Sequence, residues 1–351
     1  MPPNQSGSVP LPGARRSRAD GPVSGVFGGT CLGRYRILGF LGAGSNADVF
    51  LAHEISNADA KVVVKRIKPH VLQNPRFRQF FDNEVRSMAR FSHPYAVKLL
   101  DASLDDPLGP CLVLEYIPGV TLEQVITKFH RLPVDRVALI TGKLCHALQA
   151  AHKAGIVHRD LKPANIMIMD IGTPHESLKV MDFGFAGFTA KPHIQLAELT
   201  GQGQIFACGT PAYVSPEMVR GDSVDGRADL YGVGVMVYEM LTGRLPFEQE
   251  QHAALLAAHV REQPPKFHKI GVTHVLPQVE AVAQIALSKY ANERQQTAKD
   301  LCDMFGRAIG VDLWAETAPA GFAAAPVEDN EIVECAVADP AAGAELPDLE
   351  Q

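Results

Sequence analysis

The sequence predicts an α+β fold of two lobes, a small β-rich lobe followed by a larger, mainly helical lobe. Its 351 residues have room for one large or two medium domains. From residue 35 to about residue 116 the apolar runs are short and strand-like, whereas after Pro118 apolar residues recur at helical spacing. Two such lobes leave a cleft between them, and clefts of this kind bind ligands.

The first lobe is predicted from five strand-like runs and one helix. The runs are, in order, YRILGFLG, DVFLA, VVVKRI, VKLL and CLVLEY. The helix lies in RFRQFFDNEVRSMARF, where Phe77, Phe81, Val85 and Met88 recur three or four positions apart. Short runs rich in Val, Ile, Leu and aromatic residues are typical of strands.

The second lobe is predicted from four helical segments and a small pair of strands. The helical segments are LEQVITKF, VALITGKLCHALQAAHKAG, ADLYGVGVMVYEMLTG and VEAVAQIALSKY. In IVHRDLKPANIMI, residues 156–168, a polar run lies between two apolar tripeptides, a pattern typical of a short loop between buried strands. The segment LKVMDFGFA adds a strand that ends in a loop.

Composition divides the chain into three parts. Residues 1–32 are rich in Pro, Gly and Ser without periodicity and are predicted to be a disordered leader. Residues 33–310 form the predicted folded domain, with lobes 33–117 and 118–310. The Ala/Pro-rich, acidic tail 311–351 is expected to be mobile, although Trp314 is able to dock on the body.

Charge, apolar content and cysteine usage exclude several classes of protein. Residues 311–351 contain ten acids and no Lys or Arg, which leaves 33 basic and 29 acidic residues, a net charge of +4, on the first 310. A nearly neutral body argues against a nucleic-acid-binding protein. The sequence has no signal peptide and no apolar run long enough to span a membrane. Its six cysteines include no C-x-x-C pair, so we expect free thiols and a cytoplasmic location.

The first lobe contains residues suited to phosphate binding. In LGAGSNADVF, Gly42 and Gly44 lie between two strand-like runs, where glycine lets backbone N–H groups approach phosphate oxygens. Lys65 ends the apolar run VVVK and offers a positive charge, and Glu84 on the following helix is a candidate partner for it. Each feature alone is common in proteins without a nucleotide.

The second lobe contains two polar motifs that carry more information together. HRDLKPAN holds Asp160, Lys162 and Asn165 in one loop, and MDFG holds Asp182. Asn and Asp oxygens are the ligands that Mg²⁺ prefers when it also binds phosphates. An Asp can orient a hydroxyl group and accept its proton, and a Lys can neutralise a phosphoryl group in transit. Both motifs, in this order after a Gly-rich loop and a strand Lys, indicate phosphoryl transfer.

This set of motifs resembles the signature of the eukaryotic-type protein kinases, in the style of their bacterial serine/threonine members. The resemblance covers roughly residues 34–308 and includes RYRILGFLGAG, SHPYAVKLLD and GTPAYVSPEMVRG. It implies a bilobal protein-kinase fold with an ATP cleft between the lobes. The residues that it implies for nucleotide binding are Leu41, Gly42, Ala43, Gly44, Val49, Val63, Lys65, Leu114, Glu115 and Ile117.

The resemblance also implies catalytic roles. Asp160 is the expected base, Asn165 and Asp182 are the expected ligands of Mg²⁺ or Mn²⁺, and Lys65 is expected to pair with Glu84. The remaining implied roles belong to Lys162 beside the transferred phosphoryl group, Thr210 as a brace for Asp160 and Lys162, Glu217 as the partner of Arg294, and Asp229 as the anchor of the catalytic loop.

The implied function is transfer of the γ-phosphoryl group of ATP to Ser or Thr hydroxyls of protein substrates. The third glycine of the phosphate loop is Ala47, and GTPAYVSPE has Ser215 in place of the usual Ala. Autophosphorylation of the activation segment is a hypothesis, with Thr200 the best candidate. A pseudokinase that serves as a scaffold and a small-molecule phosphotransferase are the alternatives. Any regulatory partner is expected to act through the flanking tails.

Overall fold

The first lobe is built on a six-stranded antiparallel sheet of order β1-β2-β3-β4-β6-β5. This computed structural model describes residues 28–44, 46–73, 77–183 and 211–320, except for the side chains of residues 80, 83, 84, 87 and 90. The strands are β1 (Thr30–Cys31), β2 (Tyr35–Ala43), β3 (Ala47–Glu54), β4 (Asn57–Ile67), β5 (Leu99–Ser103) and β6 (Cys111–Glu115).

Alternation of apolar residues gives this sheet two different faces. Successive side chains of a strand point to opposite faces. On β4, Val62 and Val64 are buried in one cluster with Phe50, Ala52 and Val113, while the residues between them face the other way. One face of the sheet therefore forms the core of the lobe, and the other face is left for the cleft.

Two helices accompany the sheet, where the sequence predicts one. The predicted helix is α2 (Phe77–Arg90), which packs Phe77 and Phe81 against Leu112. The additional helix is the single turn α1 (Pro69–Leu72). Pro69 favours a helical start because its missing N–H group would have no partner there. A four-residue helix is too short to show a periodic signal, which explains why the sequence pattern missed it.

The second lobe is mainly helical and carries a three-stranded sheet of order β7-β8-β9. Its helices are α3 (Leu122–Phe129), α4 (Val134–Lys153), α5 (Pro216–Arg220), α6 (Gly226–Thr242), α7 (His252–Arg261), α8 (Pro277–Ala286), α9 (Ala298–Ile309) and α10 (Leu313–Glu316). Its strands are β7 (Val120–Thr121), β8 (Ile166–Met169) and β9 (Ser177–Val180). The predicted α+β fold of two lobes is confirmed.

Helix α6 runs through the centre of this lobe. It is mainly apolar and is buried along most of its length, as expected for a helix inside a lobe. Asp225 caps its first turn by accepting a hydrogen bond from the N–H of Arg227. The helix ends at Gly243, which has a φ of +72° and takes the left-handed conformation that glycine adopts without strain.

One predicted strand is absent. The second apolar tripeptide of residues 156–168 forms strand β8, as predicted. The first one, around Ile156 and Val157, is irregular backbone that follows α4. Ile156 is nevertheless buried, because it packs into the core of the helical lobe. Burial alone thus produced the apolar pattern that resembles a strand.

The packed body begins and ends beyond the predicted limits of the folded domain. The sequence predicts residues 28–32 to be part of the disordered leader, but Thr30 and Cys31 form β1 and pair with β2. At the other end, Leu313 and Thr317 are fully buried, although the sequence predicts them to lie in the mobile tail. The body is one unit that ends at Pro319. Residues 1–27 and 321–351 lie outside the described part of the chain.

The segment around α10 is held on α4 by aromatic and polar contacts. The ring of Trp314 stacks on the ring of His146 with 3.7 Å between centroids. The Tyr95 hydroxyl donates to the carbonyl of Thr317 at 3.0 Å. Gly142 permits the close approach, since a Cβ there would lie 2.6 Å from the Thr317 hydroxyl oxygen. Docking of Trp314 is thus observed.

The helices that the structure describes include none long and apolar enough to cross a lipid bilayer.

Truncating Leu313 tests whether α10 belongs to the folded body. Leu313 is 1% exposed, so Leu313→Ala should lower the free energy of unfolding by about 2 to 5 kcal/mol through lost burial and a cavity. Urea denaturation measures the change. The same substitution at Leu276, which is 57% exposed, is the matched control and should change stability by less than about 0.5 kcal/mol. Equal effects at both positions would show that α10 does not stabilise the body.

A buried histidine predicts a pH dependence of stability. His259 is fully buried against Tyr231, and burial, aided by the charge of Lys289, lowers its pKa to about 3. The unfolded chain protonates this side chain below about pH 6.5, whereas the folded chain does not. Stability should therefore fall by about 1.4 kcal/mol per pH unit from this residue as the pH drops below about 6.5.

The variant His259→Gln removes the contribution of this histidine to the pH dependence of stability. Denaturation at pH 7, 6 and 5 should show its stability converging on that of the unmodified protein as the pH falls. His252→Gln, at an exposed position, is the control and should run parallel to the unmodified protein. Parallel lines for both variants would contradict the prediction.

Candidate active site

The loop between α4 and β8 gathers three of the predicted catalytic side chains. The ammonium group of Lys162 donates to a carboxylate oxygen of Asp160 at 2.8 Å. The side-chain nitrogen of Asn165 donates to the backbone carbonyl of Asp160 at 2.8 Å and lies 3.3 Å from its carboxylate. The amide nitrogen of Asn165 is therefore committed to the loop, and its oxygen is the atom left for a ligand.

This loop is fixed from below by Asp229 of α6. One carboxylate oxygen accepts the backbone N–H of Arg159 at 2.8 Å, and the other accepts that of His158 at 2.9 Å. The ring of His152 donates to the latter oxygen at 2.7 Å. Burial alone would raise the pKa of Asp229, but the hydrogen bond and charge of His152 hold it below its usual value. The predicted anchor of the loop is thus present and ionised at neutral pH.

The same loop is bonded to the segment that carries Asp182. The backbone N–H of Met181 donates to the carbonyl of Asn165 at 2.8 Å. The ring of His158 donates to the carbonyl of Met181 at 2.7 Å. The two hydrogen bonds to Met181 fix the two motifs relative to each other, although the β-hairpin of β8 and β9 separates them along the chain.

Asp182 forms an ion pair with Lys65 across the two lobes. Burial would raise the pKa of Asp182, but the charge and hydrogen bond of Lys65 outweigh it and keep the pKa below its usual value. The charge of Lys162 also lowers this pKa, so the two motifs are electrostatically connected. A strand lysine and a loop carboxylate thereby meet at the junction of the lobes.

The backbone of both motifs is held in an uncommon conformation. Arg159 and Asp182 have φ values of +64° and +62°, which residues other than glycine rarely adopt. Phe183, next to Asp182, is buried between the rings of His158 and Phe91, with centroid distances of 5.0 and 5.2 Å. The buried ring and the hydrogen bonds around it stabilise these conformations.

The cleft face of the sheet places the predicted adenine-binding side chains together. Val49 is paired with Lys65, and Val63 is paired with Leu114. Paired residues on neighbouring antiparallel strands share a face, and Val63 and Lys65 are two positions apart on β4. Leu114 and Ile117 are buried in a cluster that Met167 of the helical lobe also contacts. These apolar side chains therefore lie where the lobes meet.

The predicted hinge residue Glu115 is already engaged by its neighbours. Its backbone N–H donates to the carbonyl of Lys98 at 3.1 Å. Its carboxylate accepts from the N–H of Lys98 at 2.8 Å and from the ammonium of Lys179 at 2.6 Å. The N–H and the carboxylate of Glu115 are thus both engaged within the protein, and its predicted contact with a nucleotide stays a prediction.

The predicted phosphate loop is a tight connection between β2 and β3. Gly42 pairs with Val49, and the N–H of Gly44 donates to the carbonyl of Ala47 at 2.8 Å. Lys68 donates to the carbonyl of Gly44 at 2.6 Å. Leu41 and Ala43 belong to β2, and Leu41 is 53% exposed. The loop is therefore closed by its own hydrogen bonds, with an added contact from Lys68.

A buried ion pair connects α5 to the segment before α9. The guanidinium of Arg294 donates two hydrogen bonds to the carboxylate of Glu217, each 2.7 Å long. Arg294 also donates to the carbonyls of Ser288 and Arg227 at 2.9 Å. The predicted pair is confirmed, and its two-pronged geometry suits a planar guanidinium.

Some predicted residues lie outside the described part of the chain. These are Thr210, the candidate phosphorylation site Thr200, and the side chain of Glu84, whose backbone belongs to α2. The pairing of Lys65 with Glu84 and the bracing role of Thr210 stay predictions.

Three residues of the site were not predicted. They are His152, which bonds Asp229; Lys179, which bonds Glu115; and Lys68, which bonds Gly44. Each contacts a partner between 24 and 77 positions away in the sequence. No periodic or motif signal marks such pairs.

A curled sheet over a helical lobe, with a charged loop at their junction, is the architecture of the protein kinases. The family model described as protein kinase domain matches residues 35–305. The chain belongs to this family.

Curated relatives are bacterial serine/threonine-protein kinases. The chain is 35% identical over 273 residues to serine/threonine-protein kinase pkn3 of Myxococcus xanthus. The aligned region covers 78% of this chain and 49% of that protein. It is 36% identical over 289 residues to serine/threonine-protein kinase PksC of Streptomyces coelicolor. That alignment covers 80% of this chain and 50% of that protein. The chain thus spans about half the length of these relatives.

A solved structure supports the fold. The kinase domain of PknI from M. tuberculosis aligns with a TM-score of 0.64 over 81% of this chain and 99% of that chain, at 24% identity. The predicted bilobal protein-kinase fold is confirmed.

Replacing Asp229 tests the anchor of the loop. In Asp229→Asn one carboxylate oxygen becomes an NH₂ group, which cannot accept a hydrogen bond. The backbone N–H or the His152 ring that donates to that oxygen would then be buried without an acceptor. We expect the free energy of unfolding to fall by about 2 to 4 kcal/mol, as urea denaturation would measure. Asp225→Asn, at the N-cap of the same helix, is the matched control, because Asn caps helices as well as Asp does. Equal stability of the two variants would contradict the anchoring role.

Proposed function

We propose that this chain is a protein serine/threonine kinase that transfers the γ-phosphoryl group of ATP to Ser or Thr hydroxyls of protein substrates. The observation that carries the proposal is the joined pair of motifs. Asp160, Lys162 and Asn165 lie in one anchored loop, and Met181 connects that loop to Asp182 through two hydrogen bonds. Membership of the protein kinase family supports the same reaction.

Asp160 is the residue that we assign to the acceptor hydroxyl. Its carboxylate accepts the proton as the hydroxyl oxygen bonds to the γ-phosphorus and the bond from that phosphorus to the β-phosphate oxygen breaks. ADP leaves with that bond's electrons. Lys162, 2.8 Å from Asp160, supplies a positive charge beside the transferred group. Positioning and charge neutralisation carry most of the catalysis in such reactions.

The donor set fits a divalent cation. Asp182 is ionised at neutral pH because its pKa is lowered, and the oxygen of Asn165 is left free by the commitment of its nitrogen. A carboxylate and an amide oxygen are hard donors of the type that Mg²⁺ and Mn²⁺ prefer. When bound, the cation would neutralise charge on the phosphate oxygens. We assign Asp182 and Asn165 as its protein ligands.

Lys65 and the cleft face of the sheet are assigned to ATP. The ammonium of Lys65 pairs with Asp182 and is the charge that would meet the nucleotide's phosphates. Val49, Val63 and Leu114 lie on the same face and would contact adenine. The backbone of Gly42 and Gly44 would cover the phosphates.

The catalytic assignment is tested with the purified full chain, labelled MgATP and a generic basic protein as acceptor. Asp160→Asn should lower the rate of incorporation by about 10² to 10⁴-fold, because the acceptor loses its base. Asp182→Asn should lower it by at least about 10²-fold, because the cation loses its charged ligand. Acid hydrolysis of the product should release phosphoserine or phosphothreonine.

Asp59→Asn is the matched control, since Asp59 is exposed near the start of β4 and its replacement should leave the rate unchanged. Circular dichroism would establish that every variant is folded. Equally poor incorporation by the unmodified chain and by both site variants would favour a scaffold pseudokinase. Label found only in small molecules would favour the alternative phosphotransferase.

A further inference from the structure

Two cysteines from distant parts of the chain meet inside the first lobe. Cys31 of β1 and Cys111 of β6 are 80 positions apart, yet their sulfur atoms are 2.9 Å apart. Both are free thiols, with exposures of 0% and 1%. One thiol donates to the other sulfur, and the pair lies in the core cluster of the sheet. The pair therefore lies on the face of the sheet opposite the cleft.

A carboxylate beside the two sulfur atoms binds the residue that follows β1. Asp106 is buried and accepts the N–H of Leu32 at 2.5 Å and the N–H of Leu108 at 2.8 Å. The strand β1 is thus held across the lobe by a thiol contact at Cys31 and a hydrogen bond at the next residue. Both contacts bring it to the segment that leads into β6.

These three side chains do not suffice for a structural metal. Cys31, Asp106 and Cys111 are the cluster of potential ligand atoms found among the described residues, all within 4.8 Å of one another. Structural zinc sites use four protein ligands. Both carboxylate oxygens of Asp106 already accept hydrogen bonds from the backbone. The geometry favours a reaction between the two thiols over a metal held by them.

We propose that Cys31 and Cys111 form a reversible disulfide, with a low-molecular-mass disulfide as the oxidant. The Cys31 thiolate attacks one sulfur of that oxidant, and a mixed disulfide forms as the first small thiolate leaves. The Cys111 thiolate then attacks the Cys31 sulfur and expels the second. The two protein thiols lose two electrons and two protons, and the oxidant becomes two small thiols.

The position of each cysteine in the sheet assigns the order of these steps. Strand β1 has two residues and lies at the edge of the sheet, so it can open locally at low cost. Strand β6 lies between β4 and β5 and is held on both sides. Cys31 is therefore the thiol that reaches the oxidant, and its return to the sheet brings it against Cys111.

While β1 is paired in the sheet, the two thiols are protected from oxidation. The hydrogen bond with Cys111 and burial raise the pKa of Cys31, and nearby acids add to the effect. A thiol held neutral is a poor nucleophile. Oxidation therefore requires the opening of β1 and becomes faster as the pH rises.

The test uses the full chain, reduced and then incubated with oxidised glutathione at pH 8. Free thiols are alkylated, and proteolytic peptides are mapped by mass spectrometry without reduction. We expect a peptide pair linked through Cys31 and Cys111, two hydrogens lighter than the sum of its parts. The cross-link closes a span of 80 positions, so the Tm should rise by about 5 to 10 °C and return on addition of dithiothreitol.

Cys31→Ser and Cys111→Ser should each abolish the rise in Tm. Cys145→Ala, at a buried cysteine of α4, is the control and should keep it. If the serine variants fail to fold, the linked peptide of the unmodified chain decides the question. Glutathione adducts without that linked peptide, or stoichiometric zinc whose removal by a chelator frees both thiols, would overturn the proposal.

Discussion

A buried carboxylate on the central helix holds the loop of Asp160 in place. Asp229 accepts the backbone N–H groups of His158 and Arg159, and the ring of His152 completes its hydrogen bonds. A charge without exposure to water is stable only when it is bonded in this way. The positive φ of Arg159 depends on the same two bonds, because they hold the backbone in a conformation that it would otherwise leave. The position of Asp160 follows directly.

Backbone hydrogen bonds connect the anchored loop to the segment that carries Asp182. Asn165 and His158 both bond Met181, so the segment carrying Asp182 is fixed by the loop. Asp182 then meets Lys65, which belongs to the other lobe. The ion pair thus joins the loop to the sheet of the first lobe, beside the apolar contact of Leu114 and Ile117 with Met167. Nucleotide binding at this junction would act on both lobes at once.

The first lobe separates its two roles by the two faces of one sheet. The face with Val63 and Lys65 is turned to the cleft, and the face with Val62 and Val64 is the core. The cysteine pair lies on the core face, where it connects the edge strand β1 to β6. A change in its oxidation state would therefore alter how firmly the edge of the lobe is held without adding a group to the cleft.

The sequence by itself determined the two lobes, because the period of apolar residues differs between strands and helices. The sequence also identified Asp160, Lys162 and Asn165 as candidate site residues, because they lie within six positions of one another in a single loop. Only the tertiary structure decided that His152 bonds Asp229, that Cys31 meets Cys111, and that Trp314 docks on α4. These contacts join residues far apart in the sequence. No local pattern records them, because they arise from the way the elements pack.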